Sequence, residues 1–380
     1  MNDIILSVMA FGALAGGLDR LLGNRFGLGT RFEEAFQLLG PIGLSMAGII
    51  CLAPLLSRLL SSIVVPLFCV LDLDPGMFGG ILAIDMGGYQ LAMELALNSQ
   101  IGRFAGIIVS AIFGCTLVFT IPVGLGTMQE QDRPCFTRGI LLGLASMPVG
   151  ILAGGLVCGL SPLSLLKNTL PILLVCLLLF VGIRRSPGKM AHAFQVLAAF
   201  IRQLSTLGLM LGAIQYMTGL PYLQGLAPLS AAMETVCSIA IVMLGSMPLA
   251  ELLQRMLKIP FAWVGKHTCL NAASTTGLLI GAVSVVPALA MIPRMDDRGK
   301  VVNGAFLVCA ASTFAAHLGF TVTMEPELVP ALLLSKLLGG FLGVVTALIA
   351  TRNMAPAQLT ADVLPLSATK TDCNPERTVL

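Results

Sequence analysis

The chain has 380 residues, of which 56% are hydrophobic and only 11% are charged. Soluble domains carry about a quarter charged residues, so this composition excludes a globular protein whose surface faces water. The net charge of +3 is small and scattered along the chain, which argues against nucleic acid and leaves the lipid bilayer as the expected surroundings.

Apolar stretches long enough to cross a membrane recur along residues 1–350. A helix needs roughly 20 apolar residues to span a bilayer. Stretches of that length without Asp, Glu, Lys, Arg or His are 37–57, 104–129, 139–166, 203–233 and 268–293. Shorter or slightly interrupted apolar stretches are 4–18, 75–97, 169–183, 235–250, 301–322 and 328–350. The pattern predicts an all-α polytopic membrane protein with about ten or eleven transmembrane helices.

The two ends of the chain differ from each other. Residues 1–3 carry no basic region and lead directly into an apolar stretch, so we expect a retained first span rather than a signal peptide. Residues 351–380 are polar, with Pro, Thr and balanced charges, and we expect them to form a disordered tail.

Positively charged residues concentrate in the connecting regions 184–189, 255–266 and 294–300. Basic loops normally face the cytoplasm, but strict alternation of every predicted span cannot place these regions on one side. They can share a side if one segment in each half enters the membrane and returns to the side from which it came. The candidate segments, 74–88 and 271–284, are both interrupted by small residues.

The two halves of the chain share a set of residues in the same order. The matched pairs are Pro54 with Pro248, Pro66 with Pro260, Pro122 with Pro287, Asp132 with Asp297, Arg133 with Arg298 and Gly139 with Gly304. We therefore predict two related helical repeats with broken or re-entrant segments, repeat one at about 33–185 and repeat two at about 231–350. Transporters built from repeats bind substrate near the middle of the membrane, on helices whose continuity is broken.

Asp85 is the most informative single residue. No other charge lies between Asp74 and Glu94, and a carboxylate at membrane depth costs about 2.5 to 3.5 kcal/mol on insertion scales. We predict that Asp85 is a counter-charge for a cationic substrate or a proton. A structural ion pair or a capped helix break is the alternative. Gly87 and Gly88 would permit such a break and free backbone carbonyls for a cation.

Other polar residues in apolar surroundings are weaker candidates. Tyr89 and Gln90 could offer a ring face and an amide to an ammonium group, although each could equally serve packing. Glu94 could lie on a helix face next to that of Asp85, or it could be a glutamate at the membrane interface. His317 lies inside an apolar stretch and could relay protons, bind substrate or be a satisfied core group. His192 and His267 are expected in polar loops at the surface.

Sequence signatures of enzymes and cofactor sites are absent. The chain contains no GxGxxG, Walker, HExxH or GxSxG motif. Its ten cysteines include no CxxC pair, which favours buried thiols over a metal, a cofactor or disulfides. We therefore predict a transporter without cofactor. An intramembrane enzyme and a membrane scaffold remain alternatives, and a scaffold would tolerate Asp85→Asn.

Four segments, in the same order along the chain, resemble the ethanolamine permeases of bacterial ethanolamine-utilisation systems. The segments are RFEEAF at 31–36, IDMGG at 84–88, DRGKVVN at 297–303 and HLGF at 317–320. The resemblance implies a multi-pass transporter of the bacterial inner membrane that takes up ethanolamine. Ethanolamine is mostly a cation at neutral pH, which fits a buried carboxylate.

The resemblance also suggests where the substrate hydroxyl would bind. Asn271, Ser274 and Thr275 could supply a small hydrogen-bonding group. The chain departs from the family pattern in three places. Asparagine residues precede the proline where this chain has Ser284-Val285-Val286-Pro287, Ala316 stands at an acidic position, and Met93 stands at a position that is often basic. A different small amine or amino alcohol is therefore the alternative substrate, and coupling to protons or sodium stays open.

Overall fold

The computed structural model describes residues 2–82, 88–219 and 225–354, and the regular elements within these ranges are helices. The α-helices are α1 (Asn2–Leu21), α2 (Leu28–Gln37), α3 (Leu39–Val70), α4 (Gly76–Leu82), α5 (Gly88–Leu95), α6 (Ser99–Phe104), α7 (Ile121–Thr127), α8 (Arg133–Val157), α9 (Pro162–Arg185), α10 (Pro187–Thr218), α11 (Leu229–Thr268), α12 (Ala272–Gly281), α13 (Val285–Met291), α14 (Asp297–Ala310), α15 (Ala316–Met324) and α16 (Val329–Ala350). Two π-helical segments, Ala105–Gly114 and Thr116–Thr120, join α6 to α7. Short 3-10 turns follow α13 and precede α16.

Eight stretches of the described chain are helical, long enough and apolar enough to cross a bilayer. They are Ile4–Leu21, Leu28–Val70, Ser99–Thr127, Arg133–Val157, Pro162–Arg185, Gly188–Thr218, Leu229–Thr268 and Pro326–Ala350. Eight stretches rather than ten or eleven are counted because three predicted spans are not single long helices within the described residues. The described parts of 75–97 are the short helices α4 and α5, 268–293 is divided between two short helices, and 301–322 is broken at 311–315. The protein is a multi-pass helical membrane protein.

The helix boundaries follow local sequence signals. Asn98, Ser161, Asn271 and Asp296 each stand one residue before a helix, and each side chain accepts a hydrogen bond from a backbone N–H in the first turn. Such caps satisfy donors that have no partner within the helix. The prediction of polar loops around His192 and His267 was wrong, because α10 and α11 continue through these residues, with both side chains exposed.

The two ends of the segment that carries α4 and α5 lie close together, so this segment forms a hairpin. At the base of this first hairpin, Asp74 accepts hydrogen bonds from the backbone N–H groups of Gly76 and Asn98, both at 2.8 Å. The backbone N–H of Asp74 donates to the side-chain oxygen of Asn168 on α9 at 2.8 Å. The buried Asp74 carboxylate therefore joins the two ends of the hairpin, and the backbone N–H of the same residue attaches them to α9.

The helices α12 and α13 form a second hairpin with a similar base. The backbone N–H of Asn271 donates to Asp296 at 3.0 Å, and the side-chain amide of Asn271 donates to the carbonyl oxygen of Arg294 at 3.0 Å. An Asp and an Asn thus join the ends of each hairpin, in opposite order along the chain. These are the two segments for which the sequence predicts re-entry into the membrane.

Small residues allow α8 and α16 to pack closely and antiparallel. The Ser146 hydroxyl donates to the carbonyl oxygen of Gly339 at 3.2 Å, and the Ser335 hydroxyl donates to that of Gly150 at 2.7 Å. A Cβ atom on Gly150 would lie 3.0 Å from the Cα of Gly339. Close approach through small residues and hydroxyl hydrogen bonds stabilises helix pairs where lipid gives no hydrophobic drive.

Candidate functional site

The helix that begins with α14 is broken inside the protein. Residues 311–315 are not helical, and Ser312 has a left-handed backbone with φ of 54°. The backbone N–H groups of Ser312 and Phe314 donate to the carbonyl oxygens of Gly281 and Ala282, at 3.0 and 2.9 Å. The tip of the second hairpin therefore meets the break. Non-helical backbone at membrane depth is tolerated only where protein covers it or where it lines a cavity.

Lys336 is a buried charge near this break. It is the one charged residue within Val329–Ala350, and only 1% of its surface is exposed. Its ammonium donates to the carbonyl oxygen of Ala111 at 2.8 Å, in the π-helical segment, a type of element that often occurs at functional sites. Within the described ranges, no carboxylate forms an ion pair with Lys336. Such a costly group is a functional candidate by default.

His317 lies in the first turn of α15, beside Lys336. The ring is buried, with 3% exposure, and its Nδ1 atom lies 3.3 Å from the carbonyl oxygen of Ala311. The helix α15 packs against α16, which carries Lys336, and Cys309 of α14 packs against Gly339, three residues after Lys336 on α16. The interior near the break thus brings one ammonium, one imidazole and the Cys309 thiol together. A proton relay or a substrate contact at His317 stays a prediction.

Tyr89 belongs to a second polar group. Its hydroxyl donates to Glu325 at 2.8 Å, and the same carboxylate forms an ion pair with Arg103. The Tyr89 ring packs edge-to-face against Phe320, with ring centroids 5.9 Å apart. Phe320 lies one turn after His317 on α15, so this helix connects the second group to the interior near Lys336.

The remaining candidates around Asp85 differ in exposure. Asp85 and Gly87 lie outside the described residues, so their predicted roles stay predictions from the sequence. Gly88 is the buried first residue of α5. Gln90 is half-buried on the same helix, whereas Glu94 is exposed.

The residues predicted to bind a hydroxyl gather at the base of the second hairpin, where protein groups already occupy them. The side-chain oxygen of Asn271 accepts from the backbone N–H of Ser274 at 2.8 Å, and the Ser274 hydroxyl donates to Asp296 at 2.6 Å. The Thr275 hydroxyl donates to the carbonyl oxygen of Ala272 at 3.1 Å. These bonds indicate that the three side chains hold the hairpin base together.

Asn303 on α14 completes this cluster, and the sequence reasoning did not single it out. The residue is fully buried, and its amide donates to the carbonyl oxygens of Ser274 and Gly299, at 2.9 and 3.0 Å. Its side-chain oxygen has no hydrogen-bond partner within the described part of the chain. That oxygen is the acceptor still available in this cluster. Its location depends on tertiary packing, so no local sequence signal would have identified it.

The predicted site residues therefore fall into two groups. Within the described ranges, no hydrogen bond or ion pair connects the Tyr89 group with the Asn271 group. Lys336 was missed although the sequence contained a signal for it, because a lone charge in an apolar helix is the same pattern that pointed to Asp85. Glu325 and Arg103 were missed because their partners come from distant parts of the chain.

Comparisons with known proteins extend over the whole helical domain. The family model described as "Ethanolamine utilisation protein, EutH" matches residues 1–350. The "Probable ethanolamine permease EutH" of Listeria monocytogenes serotype 1/2a (strain 10403S) is 39% identical over 355 residues, covering 93% of this chain and 95% of that protein. The "Uncharacterized protein YxeR" of Bacillus subtilis (strain 168) is 38% identical over 360 residues, covering 94% and 96%.

A relative from a Gram-negative bacterium gives the same result. The "Probable ethanolamine permease EutH" of Escherichia coli (strain K12) is 34% identical over 405 aligned positions, covering 94% of this chain and 99% of that protein. No solved structure matches this chain significantly. The relatives named as permeases imply a transporter rather than an enzyme. The resemblance found in the sequence is confirmed, and the chain belongs to the EutH family of ethanolamine utilisation proteins.

Proposed function

We propose that this protein takes up ethanolamine across the bacterial inner membrane. The observation that carries the proposal is the unwound backbone at 311–315, which receives the tip of the second hairpin inside a multi-pass helical protein. Broken helices of this kind form the substrate sites of many transporters. The relatives named as probable ethanolamine permeases support the choice of substrate.

The cationic form of the substrate determines what the interior must supply. The ammonium group of ethanolamine would be repelled by Lys336 and attracted by a carboxylate. We assign the attraction to Asp85 on the sequence argument above, since a membrane-embedded carboxylate requires a positive partner. The substrate hydroxyl would require a buried acceptor or donor. Asn303 is favoured over the three hairpin-base residues because its side-chain oxygen has no hydrogen-bond partner in the described chain.

The proposal includes two inverted repeats. The order α3, first hairpin, α6–α7, α8 corresponds to the order α11, second hairpin, α14–α15, α16. The motif Ser-x3-Gly-x3-Gly occurs on α8 at 146–154 and on α16 at 335–343, and the two serines donate to glycine carbonyl oxygens of the opposite helix. Such reciprocity is expected for repeats related by a two-fold axis in the membrane plane.

This alignment pairs α8 with α16, whereas the sequence matches at Asp132, Arg133 and Gly139 had paired α8 with α14. Those matched residues lie on two helices that pack side by side, with Gly139 against Gly304. The order of elements is the better guide, because it aligns four consecutive elements at once. In this alignment, the long helices α9 and α10 connect the two repeats along the chain.

A transport assay tests the proposed function. Purified protein in proteoliposomes should take up labelled ethanolamine in a saturable way, and Asp85→Asn should reduce the rate of uptake by about tenfold or more because an amide does not neutralise a cation. Asp72→Asn is the matched control, because Asp72 is exposed and pairs with Lys167 at the surface. Undiminished uptake by Asp85→Asn would reject the counter-charge.

A second small amine is the alternative substrate, and one feature favours it. Val285, which stands near an asparagine position of the family pattern, is buried at the start of α13 beside the hairpin tip. Uptake of labelled ethylamine, 1-amino-2-propanol and choline, measured beside that of labelled ethanolamine, distinguishes the two. Transport of another amine without any uptake of ethanolamine would establish the alternative.

A further inference from the structure

A cavity of about 700 Å³ lies where four helix ends meet, away from the hairpins. The end of α7, the start of α8, the end of α9 and the start of α10 surround it. Arg133 and Arg138 of α8 and Arg184 of α9 line the cavity, together with His192, and its lining contains no acidic residue. The cavity is therefore positively charged.

The arginines of this cavity keep donors available for a ligand. Neither the Arg133 nor the Arg184 guanidinium makes a hydrogen bond or an ion pair within the described part of the chain. The acidic neighbour Asp132 forms its ion pair with Lys300, at 2.9 Å, and not with Arg133. Two exposed guanidinium groups therefore face one cavity without a protein partner, an arrangement that attracts an anion.

The cavity combines this charge with an apolar wall. Leu125, Leu141 and Ile183 contribute to its lining, and Ile183 is almost fully buried. A free inorganic anion gains nothing from aliphatic side chains. A ligand that carries both an anionic group and a hydrocarbon part would use the whole surface.

The cavity lies at one boundary of the membrane domain. Arg138 donates to the carbonyl oxygen of Ala350, the last residue of α16, at 2.6 Å. The ion pair between Lys300 and Asp132 joins the starts of α8 and α14. These ends of spanning helices share one face with the basic region 184–189, and basic regions mark the cytoplasmic side. The cytoplasmic leaflet is rich in anionic lipids.

We propose that this cavity binds the headgroup phosphate of an anionic phospholipid of the cytoplasmic leaflet. Arg133 and Arg184 donate to the phosphate oxygens, and Arg138 is held beside them by its bond to α16. Leu141 and Ile183 contact the glycerol backbone and the first methylene groups. The bound lipid joins α8, α9 and α10. The site is separate from the proposed amine site and does not depend on transport.

Native mass spectrometry of the purified full-length protein tests this site. The protein is released from detergent after incubation with phosphatidylglycerol, phosphatidylcholine or glycerol 3-phosphate. The double variant Arg133→Gln/Arg184→Gln removes the two unpartnered arginines and leaves Arg138 in place. The matched control, Arg185→Gln/Lys189→Gln, removes the same charge from exposed residues nearby that do not line the cavity.

We expect wild type and control to retain phosphatidylglycerol. The affinity of the cavity variant for this lipid should be lower by about tenfold or more. Phosphatidylcholine and glycerol 3-phosphate should bind weakly to all three proteins. An equal loss of phosphatidylglycerol binding in the control variant would show that general surface charge holds the lipid, and it would overturn the proposal. Tight binding of glycerol 3-phosphate alone would also overturn it, since the site would then be one for a soluble phosphate. Size-exclusion profiles identify any misfolded variant, and Arg184→Gln alone then replaces the double variant.

Discussion

The base of the second hairpin and the interior around Lys336 differ in how completely their polar groups are hydrogen-bonded. At the hairpin base, Asn271, Ser274 and Asp296 bond to one another and to backbone groups. In the interior, the Lys336 ammonium has three donors, and its partner within the described ranges is one carbonyl oxygen, that of Ala111. The first arrangement stabilises a fold, and the second leaves a charge that can respond to a substrate. We therefore expect substitutions to affect stability at the base and transport in the interior.

The largest expected effect is a loss of stability at the hairpin base. Asp296→Ala removes the acceptor of three hydrogen bonds, from the Asn271 and Gly299 backbone N–H groups and from the Ser274 hydroxyl. We expect destabilisation of about 3 kcal/mol or more, since bonds to a charged acceptor contribute about 1.5 to 3 kcal/mol each and are not additive. Thermal unfolding in detergent measures it. Asp297→Ala, at an exposed neighbour, should cost about 0.5 kcal/mol, and equal losses would contradict the structural role of the base.

Lys336→Met should change substrate affinity rather than stability. A buried charge replaced by an apolar side chain of similar size is often neutral for folding. A cationic substrate bound within about 10 Å of the Lys336 ammonium would be repelled by about 1 to 2 kcal/mol at an effective dielectric constant of about 20. We therefore expect the KM for cationic ethanolamine to fall about tenfold. Lys266→Met, at an exposed lysine, is the control with the same loss of charge. An unchanged or raised KM in a well-folded Lys336→Met protein would contradict the account of the interior.

Tyr89→Phe should have an intermediate effect on stability. The Tyr89 hydroxyl is hydrogen-bonded, like the groups at the hairpin base, and the ring contacts the helix that leads to the interior. The substitution keeps the ring contact with Phe320 and removes one hydrogen bond to Glu325. We expect a loss of about 1 kcal/mol in stability. Tyr216→Phe, at a residue that is 71% exposed, should change nothing. A fall in uptake well beyond the loss in folded protein would move Tyr89 into the substrate site.

The smallest expected effect is that of Thr275→Val. The Thr275 hydroxyl bonds to backbone within its own helix turn, and valine keeps the shape of the side chain. We expect a change below about 0.5 kcal/mol in stability and less than about twofold in KM. A large rise in KM would show that the hydroxyl contacts substrate after all and would erase the distinction between base and interior.

The long helices could be predicted from the sequence because uncharged apolar stretches admit few other structures in a bilayer. The two hairpins could be anticipated at 74–88 and 271–284, since small residues interrupt apolar stretches there. The break at 311–315 could not, because the residues ASTFA contain neither Gly nor Pro. Its cause is tertiary, namely the hydrogen bonds that the break donates to the hairpin tip.

Site chemistry was predictable only in part. Lone charges in apolar stretches are visible in a sequence, and the rule that pointed to Asp85 applies equally to Lys336. Which polar groups already have partners is not visible. The sequence does not show that Asp296 and Arg294 are hydrogen-bond partners of Asn271. Nor does it show that Asn303 is fully buried.

Equilibrium binding of labelled ethanolamine to the purified protein tests the central claim most directly. The claim is that the interior binds a small amine through its positive charge. We predict that unlabelled ethanolamine displaces the label, that ethylene glycol, which has a similar size without the charge, does not, and that Asp85→Asn weakens binding by about tenfold or more. Equal displacement by ethylene glycol, or full binding by Asp85→Asn, would contradict the account.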